Sequence, residues 1–351
     1  MHDHANSESG PKTDRELRDL ADIRAHIKRY TGKSDLRGAL SLLGTLAVYA
    51  AALSLGAVYA DAWWVLIPAV VVLAFASVRL YVLQHDCGHY SLFATRRLND
   101  LAGYLLSVFS FTPYRVMQYN HNMHHAYLGN LDHRETTEVF TMTLREWQQA
   151  GPGRRMWYRL YRNPLLMLPL GGFFTYFIAY RWPRNTSAVG AAGVIVHNLM
   201  IAGLLVTIWA TLGWAGLAVW FAASLLGGTI GVFLVYLQHN FEETYWDRKP
   251  DLDFRRATLI GSSSLDLGWL WDLGSGNIAY HDLHHFNPAV PSYRLRRCQK
   301  ELPAHLQMHD VIRWPEALRS LRLKLWDEER GRLVPFPPRG DATRRQLLPA
   351  G

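Results

Sequence analysis

Cysteine is almost missing from this chain: of 351 residues only Cys87 and Cys298 carry a thiol. Two thiols at that spacing give neither a disulfide framework nor a CxxC zinc or redox motif. The first twenty residues, MHDHANSESGPKTDRELRDL, lack an apolar core, so no cleaved signal peptide is expected. Acidic residues are the scarcer charge, 29 Asp and Glu against 37 Lys and Arg, for a net charge of +8. Such a balance suits nucleic acid or the anionic inner face of a membrane. The cations are spread along the chain and form no nucleic-acid-binding motif, which sets the first partner aside. Mean hydropathy close to zero excludes a chain immersed in lipid along its whole length.

Charge is also missing from three long stretches and nearly so from a fourth, which holds only Arg79. ALSLLGTLAVYAAALSLGAV (39–58) is joined by YADA to WWVLIPAVVVLAFASVRLYVLQ (63–84). AVGAAGVIVHNLMIAGLLVTIW (188–209) is followed after a short turn by AGLAVWFAASLLGGTIGVFLVYLQ (215–238). Each is long enough to cross about 30 Å of hydrocarbon, so four transmembrane helices in two hairpins are predicted. Two weaker apolar stretches, 98–112 and 165–180, are expected to be interfacial or re-entrant. A polar N-terminal segment, 1–38, holds a short helix near 14–30, and a basic tail follows at 296–351. Within that tail LRSLRLKLWDEERGRL (318–333) alternates apolar and charged residues and is expected to be an amphipathic helix, lying on lipid, facing an acidic electron donor or simply solvated.

The distribution of cations sets the orientation. Lys and Arg number 8 in 1–38, 11 in 85–187 and 17 in 239–351, and the links inside the hairpins have none. Both termini and the central segment are therefore expected in the cytoplasm, and the hairpin tips outside. Tyr59, Trp63, Trp64, Trp209 and Trp214 mark the tips, and Tyr81 and Tyr236 the opposite ends, as two aromatic belts. Arg79 is expected to snorkel to the cytoplasmic headgroups.

Histidine is concentrated. Eight of 16 fall in HDCGH (85–89), HNMHH (121–125) and HDLHH (281–285), and His239 directly follows the fourth span. All nine come to one side of the membrane. Residues i, i+3 and i+4 share a helix face, so each cluster points two or three imidazoles at one place. Nine neutral imidazoles exceed the four ligands of one zinc and suit two first-row metal ions, whose identity ligand type leaves open. The remaining histidines read as bystanders: His2, His4, His26, His305 and His309 solvated, His133 off the face of its cluster, His197 packed within the third span.

HDCGHYSLF (85–93), HNMHHAYLGNLD (121–132), QHNFEETYW (238–246) and SGNIAYHDLHHFNPAVPSY (275–293) resemble the membrane fatty acid desaturases, in particular the bacterial and plastid acyl-lipid branch. The likeness covers roughly 40–295. The third box opens with His281 and not Gln, unlike the front-end desaturases with a fused cytochrome domain. The stretch GNIAYHDLHH departs from an expected GNIGYHHIHH, with Asp282 in place of a histidine that is not an expected ligand. The resemblance implies an all-α integral membrane fold, four transmembrane helices in two hairpins under a cytoplasmic helical cap holding a di-iron site, with a desaturase domain over 39–295. It implies two iron ions held by His85, His89, His121, His124, His125, His239, His281, His284 and His285, O2 as co-substrate, an acyl-chain lipid as substrate and electrons from a separate protein, ferredoxin-like or similar. It places the protein in the membrane, for a bacterium the inner one, with the metal site cytoplasmic.

Desaturation takes hydrogen from C–H bonds that are neither acidic nor polarised, which is cofactor chemistry. Asp86, Asn122, Asn240, Asn277 and Asp282 are polar neighbours able to orient the imidazoles. Trp269, Trp271 and Tyr280 are candidates to line an apolar passage. Hydroxylation or another oxidation of a fatty or carotenoid chain at the same centre is the alternative. A membrane metal transporter or sensor is the alternative of another class, and it is disfavoured because its ligands belong near mid-membrane.

Overall fold

The computed structural model describes residues 11–136, 139–182, 186–307 and 311–338. Fifteen helices are numbered in chain order: α1 Pro11–Lys28, α2 Asp35–Val58, α3 Trp63–Gly88, α4 Arg96–Ser110, α5 Tyr114–Ala126, α6 Leu144–Gln149, α7 Pro152–Tyr161, α8 Pro164–Phe173, α9 Thr186–Val189, α10 Ala191–His239, α11 Phe254–Ile260, α12 Trp269–Gly274, α13 His281–Phe286, α14 Ser292–Lys300 and α15 Trp314–Ser320. Three strands, β1 Met142–Thr143, β2 Leu325–Asp327 and β3 Arg332–Val334, form the one small sheet of the described residues.

Among the described residues three helices are long and apolar enough to cross a membrane: α2, α3 and α10. Ser34 sets the start of α2 by accepting the N–H of Arg37, four residues before the uncharged run begins. These helices are apolar all round, and their outer faces expose Leu40, Leu43, Ile67, Val72, Leu199 and Val206. A helix of that kind needs an apolar medium on the side its neighbours leave open. Trp63, Trp64, Trp209 and Trp214 are also exposed.

The 49 residues of α10 are not one straight rod. Gly213 has φ 63° and ψ −159°, a backbone region that other residues reach only at a cost. The two ends of α10 are tied to one neighbourhood. His197 lies 3.2 Å from the Ser107 hydroxyl of α4, and Ser110 of the same helix donates to Gln84, next to His85. His239, at the other end, lies 3.2 Å from His124 of α5, the helix whose His121 meets His85. Further along, Gly172 of α8 meets Gly228 of α10 so closely that a Cβ on Gly172 would stand 2.6 Å from the Gly228 carbonyl carbon. The expected 165–180 stretch is thus α8 followed by a π turn, Phe174–Ile178, and the 98–112 stretch is α4.

Several expectations are corrected. The fold is mostly helical and not purely so. Where an amphipathic helix was expected over 318–333, α15 ends at Ser320 and β2 and β3 form an antiparallel pair, with β1 parallel to β2. Leu325, Trp326 and Leu333 are buried there, and Gly331 at φ 59° makes the turn. Short alternation on either side of DEERG is the strand pattern, and the interspersed cations disguised it as helical. Tyr236 is not at a lipid interface: it is buried under the β2 segment and its hydroxyl donates to the Leu323 carbonyl at 2.9 Å. Arg79 does not snorkel. It donates to Thr45 and Ser41 of α2 at 3.1 and 3.2 Å and to the Leu273 carbonyl. His26 is buried, 2.9 Å from the Cys298 carbonyl, while His305 is exposed as expected. His2, His4 and His309 lie outside the described residues.

Candidate metal centre

Helical spacing builds the centre from four chain segments. The first histidine cluster is not in a loop after the span. α3 continues through it, so His85 stands in its last turn and His89 caps it, one turn further on the same face. α5 carries His121, His124 and His125, α13 carries His281, His284 and His285, and α10 ends at His239.

All nine imidazoles meet. His121 Nε2 lies 2.8 Å from His85 Nε2, 2.9 Å from His125 Nε2 and 3.4 Å from His284 Nε2. His124 Nε2 is 3.2 Å from His239 Nε2 and 3.3 Å from His285 Nε2, and His281 Nε2 is 3.1 and 3.0 Å from the same two atoms. The result is two groups whose ligand atoms lie within 4.8 Å of one another: His85, His89, His121 and His284, and His124, His239, His281 and His285. His125 leans to the first group, 3.1 Å from His284 Nε2, while its ring stacks on that of His285 at 4.2 Å.

Hydrogen bonding cannot explain this arrangement. A neutral imidazole has one N–H and one lone pair, yet His121 Nε2 faces three other Nε2 atoms. Lone pairs turned on one another in a buried site call for a cation between them. Protonation is not the answer: burial, reinforced by the neighbouring imidazoles, holds His89, His121, His124, His125, His281, His284 and His285 well below the usual histidine value. Those seven rings are neutral at pH 7, and the nine imidazoles together present donor atoms, five around one position and four around the other. The donor set fits two first-row metal ions.

The polar neighbours behave differently from one another. Asp86, buried, stands 3.6 Å from His85 Nδ1 and accepts the Ser292 N–H at 2.7 Å, tying the first cluster to the segment after the third. The other four do not orient imidazoles. Asn122 is exposed. Asn240 donates to the Ser320 carbonyl at 2.9 Å and accepts from Arg162 at 2.6 Å. Asn277 donates to the Ser292 carbonyl at 3.0 Å. Asp282 accepts from Ser264 and from the Leu283 N–H. Two partners were not foreseen. The Gly261 carbonyl lies 3.2 Å from His239 Nδ1, a backbone contact with no sequence signal. Arg162, fully buried, also donates to the Phe140 carbonyl and Thr141, bracing the end of α10 beside His239. His133 packs on Tyr127 and His197 lies between Ser107 and Arg181, both outside the two groups.

An apolar cavity bounded by Val78, Tyr81, Tyr176, Gly231 and Leu234 ends at His85, His121, His124, His239 and His281. A second cavity shares Val78, Tyr81, Tyr176 and Gly231 and continues between Phe111, Phe177, Gly227 and Gly228. The expected aromatics do not line either. Trp269 is exposed, Trp271 packs on Phe75 and Trp314, and the Tyr280 hydroxyl donates to Asp272. Their apolar surface suggested a passage, but Trp271 and Tyr280 serve the packing around α12.

Comparison with known proteins places this geometry. The sequence model for fatty acid desaturases matches residues 61–317. The chain is 34% identical over 262 residues to a fatty acid desaturase of Bacillus subtilis (strain 168), covering 74% of each chain. It is 27% identical over 237 residues to the sn-1 acyl-lipid omega-3 desaturase (ferredoxin) of Nostoc sp. (strain 36), covering 64% of this chain and 63% of that one. It is 26% identical over 271 residues to the sn-1 oleoyl-lipid 12-desaturase of Anabaena variabilis, covering 74% and 75%.

Proposed function

The chain belongs to the fatty acid desaturase family, an oxidoreductase family, and from that premise we propose that it introduces a double bond into the acyl chain of a membrane lipid at a di-iron centre. The observation that carries this reading is the pair of convergent imidazole groups that an apolar cavity reaches.

In this reading His85, His89, His121, His125 and His284 hold one iron, and His124, His239, His281 and His285 the other. Bound there, the pair supplies the reduction of O2 by two external electrons coupled to removal of two hydrogens from adjacent carbons, which no side chain can do. The protein's own residues do the rest. Gly261 accepts from Nδ1 of His239 and so fixes the tautomer that leaves Nε2 free as a donor atom. Asp86 sets a negative charge beside His85. Tyr81, Tyr176 and the small residues Gly227, Gly228 and Gly231 shape an extended slot for an alkyl chain and keep water from it.

The desaturase unit spans 39–295, flanked by the polar segment 1–38 and the basic segment 296–351. Four spans in two hairpins follow if the break at Gly213 is a turn at the outer face, with both termini, the cap and the metal groups in the cytoplasm of a bacterial cell. Electrons come from a separate carrier, for which the ferredoxin named in the Nostoc relative is the guide.

The reading is tested by expressing the protein in a bacterium of known membrane composition and analysing fatty acid methyl esters by gas chromatography–mass spectrometry. A new unsaturated peak is expected, absent in His124→Ala and His284→Ala and retained in His305→Ala, whose side chain is exposed. A hydroxylated product in place of the unsaturated one overturns the outcome and keeps the centre. Persistence of the new peak in both His→Ala variants overturns the assignment of the centre itself.

A further inference from the structure

On the side of the centre away from the acyl cavity, a cleft opens between α1, α11 and α13, with His125 and His285 at its floor. We propose that this cleft docks the electron donor, a small acidic iron–sulfur protein of ferredoxin type; the proposal rests on the desaturase reading above.

Three observations meet there. First, the two histidines at the floor belong to different metal groups. Their rings stack at 4.2 Å and 28°, and the Nε2 atoms of His125 and His285 each lie about 3 Å from other ligand atoms of their own group, 2.9 Å to His121 and 3.0 Å to His281. A donor seated over the cleft is separated from both groups by the depth of one imidazole. Second, the rim is cationic. Arg24 of α1 and Arg255 of α11 line the cleft and are exposed, and neither enters an ion pair among the described residues. Lys28 of α1 and Arg256 of α11 are exposed on the same two helices, against Asp22 on α1 and Asp253, whose carboxylate is engaged in capping α11. Potential of this sign steers an acidic partner and fixes its register. Third, Phe254 stands on the rim with half of its surface exposed, the kind of aromatic anchor that carries binding energy at the centre of an interface.

The electron balance suits this partner. Each reduced iron–sulfur cluster gives up one electron and leaves oxidised, so one double bond requires two dockings. A surface visited twice per turnover has to release its partner readily. Charges at a rim around a small apolar contact give fast, salt-sensitive, short-lived complexes.

The test uses the full-length, iron-loaded protein in lipid nanodiscs and a purified plant-type [2Fe–2S] ferredoxin, with Kd read by biolayer interferometry. Binding that weakens with added salt is expected, and the double variant Arg24→Glu/Arg255→Glu raises Kd by about tenfold or more. Thr258→Trp, which fills the cleft without altering charge, also weakens binding and gives a second test should the charge variant lose its iron. Arg319→Glu, an exposed cation outside the cleft, leaves Kd unchanged. Wild-type Kd in the double variant and in Thr258→Trp overturns the site, and so does an equal effect from Arg319→Glu, which would mark non-specific attraction. Binding of a haem carrier through the same residues, with none of the ferredoxin, overturns the iron–sulfur identity. These are binding measurements, so failure of the desaturase reading, seen in the lipid analysis, stays distinguishable from failure of the docking site.

Discussion

Asp86 shows what one residue adds to a ligand set. Its carboxylate lies 3.6 Å from His85 Nδ1, an atom with no hydrogen-bond partner of its own among the described residues, and its other oxygen holds the Ser292 N–H. Asp86→Asn keeps the shape and an acceptor for Ser292 but deletes the negative charge beside the imidazole group that holds His85. Loss of such a partner costs about 10–100-fold in metal affinity. Iron retained after dialysis against a graded chelator measures it, and retention equal to wild type would remove Asp86 from the support of the centre. That the imidazoles of each cluster would converge was legible from spacing, because i, i+3 and i+4 on a helix leave little freedom. The partners that orient them were not. Asn122, Asn240, Asn277 and Asp282 have the right chemistry in the right neighbourhood, but side-chain direction decides, and three of them are engaged by carbonyls, Arg162 or Ser264. The Gly261 carbonyl has no side chain to announce it.

Among elements, the contact of α8 with α10 sets the width of the apolar cavity that reaches the histidines, since Tyr176 follows α8 and Gly231 lies on α10. Gly172→Ala would bring its methyl within 2.6 to 2.9 Å of backbone atoms of Gly228 and Thr229, which cannot rotate away. Forced separation of a packed pair costs about 1–3 kcal/mol. A lower thermal midpoint in nanodiscs is expected together with reduced unsaturated product, whereas Gly203→Ala, with nothing within 4 Å of its Cβ, should leave both in place. Equal midpoints for the two variants would show that the helices are not held at that point. Apolar runs revealed the long helices because length and composition alone define them. Their ends were misjudged where a polar cluster stays helical, as HDCG does at the end of α3. The strands of 325–334 were missed because two three-residue strands offer too few positions for a period of two to stand out from one of 3.6.

For the whole molecule the open quantity is which face of the membrane each segment occupies. In the proposed orientation the cation count would put the cap in the cytoplasm, and Gly213 divides α10 at a level that would place Trp214 outside with Asp61. Cysteine scarcity makes this directly measurable. Cys87 and Cys298 are both fully buried, so a membrane-impermeant maleimide has little native background. Single cysteines at Asp61 and Trp214, both exposed, should label in intact cells, and one at Glu329, exposed in the turn between β2 and β3, only after permeabilisation. If Trp214→Cys labels only after permeabilisation while Asp61→Cys labels from outside, the second hairpin does not reach the outer face and the four-span arrangement fails. If all three labels invert together, the hairpins stand but the centre faces the other compartment, where an acidic cytoplasmic carrier could not reach the cleft over His125 and His285. The orientation therefore bears on the electron supply as directly as the cations on the cleft rim do.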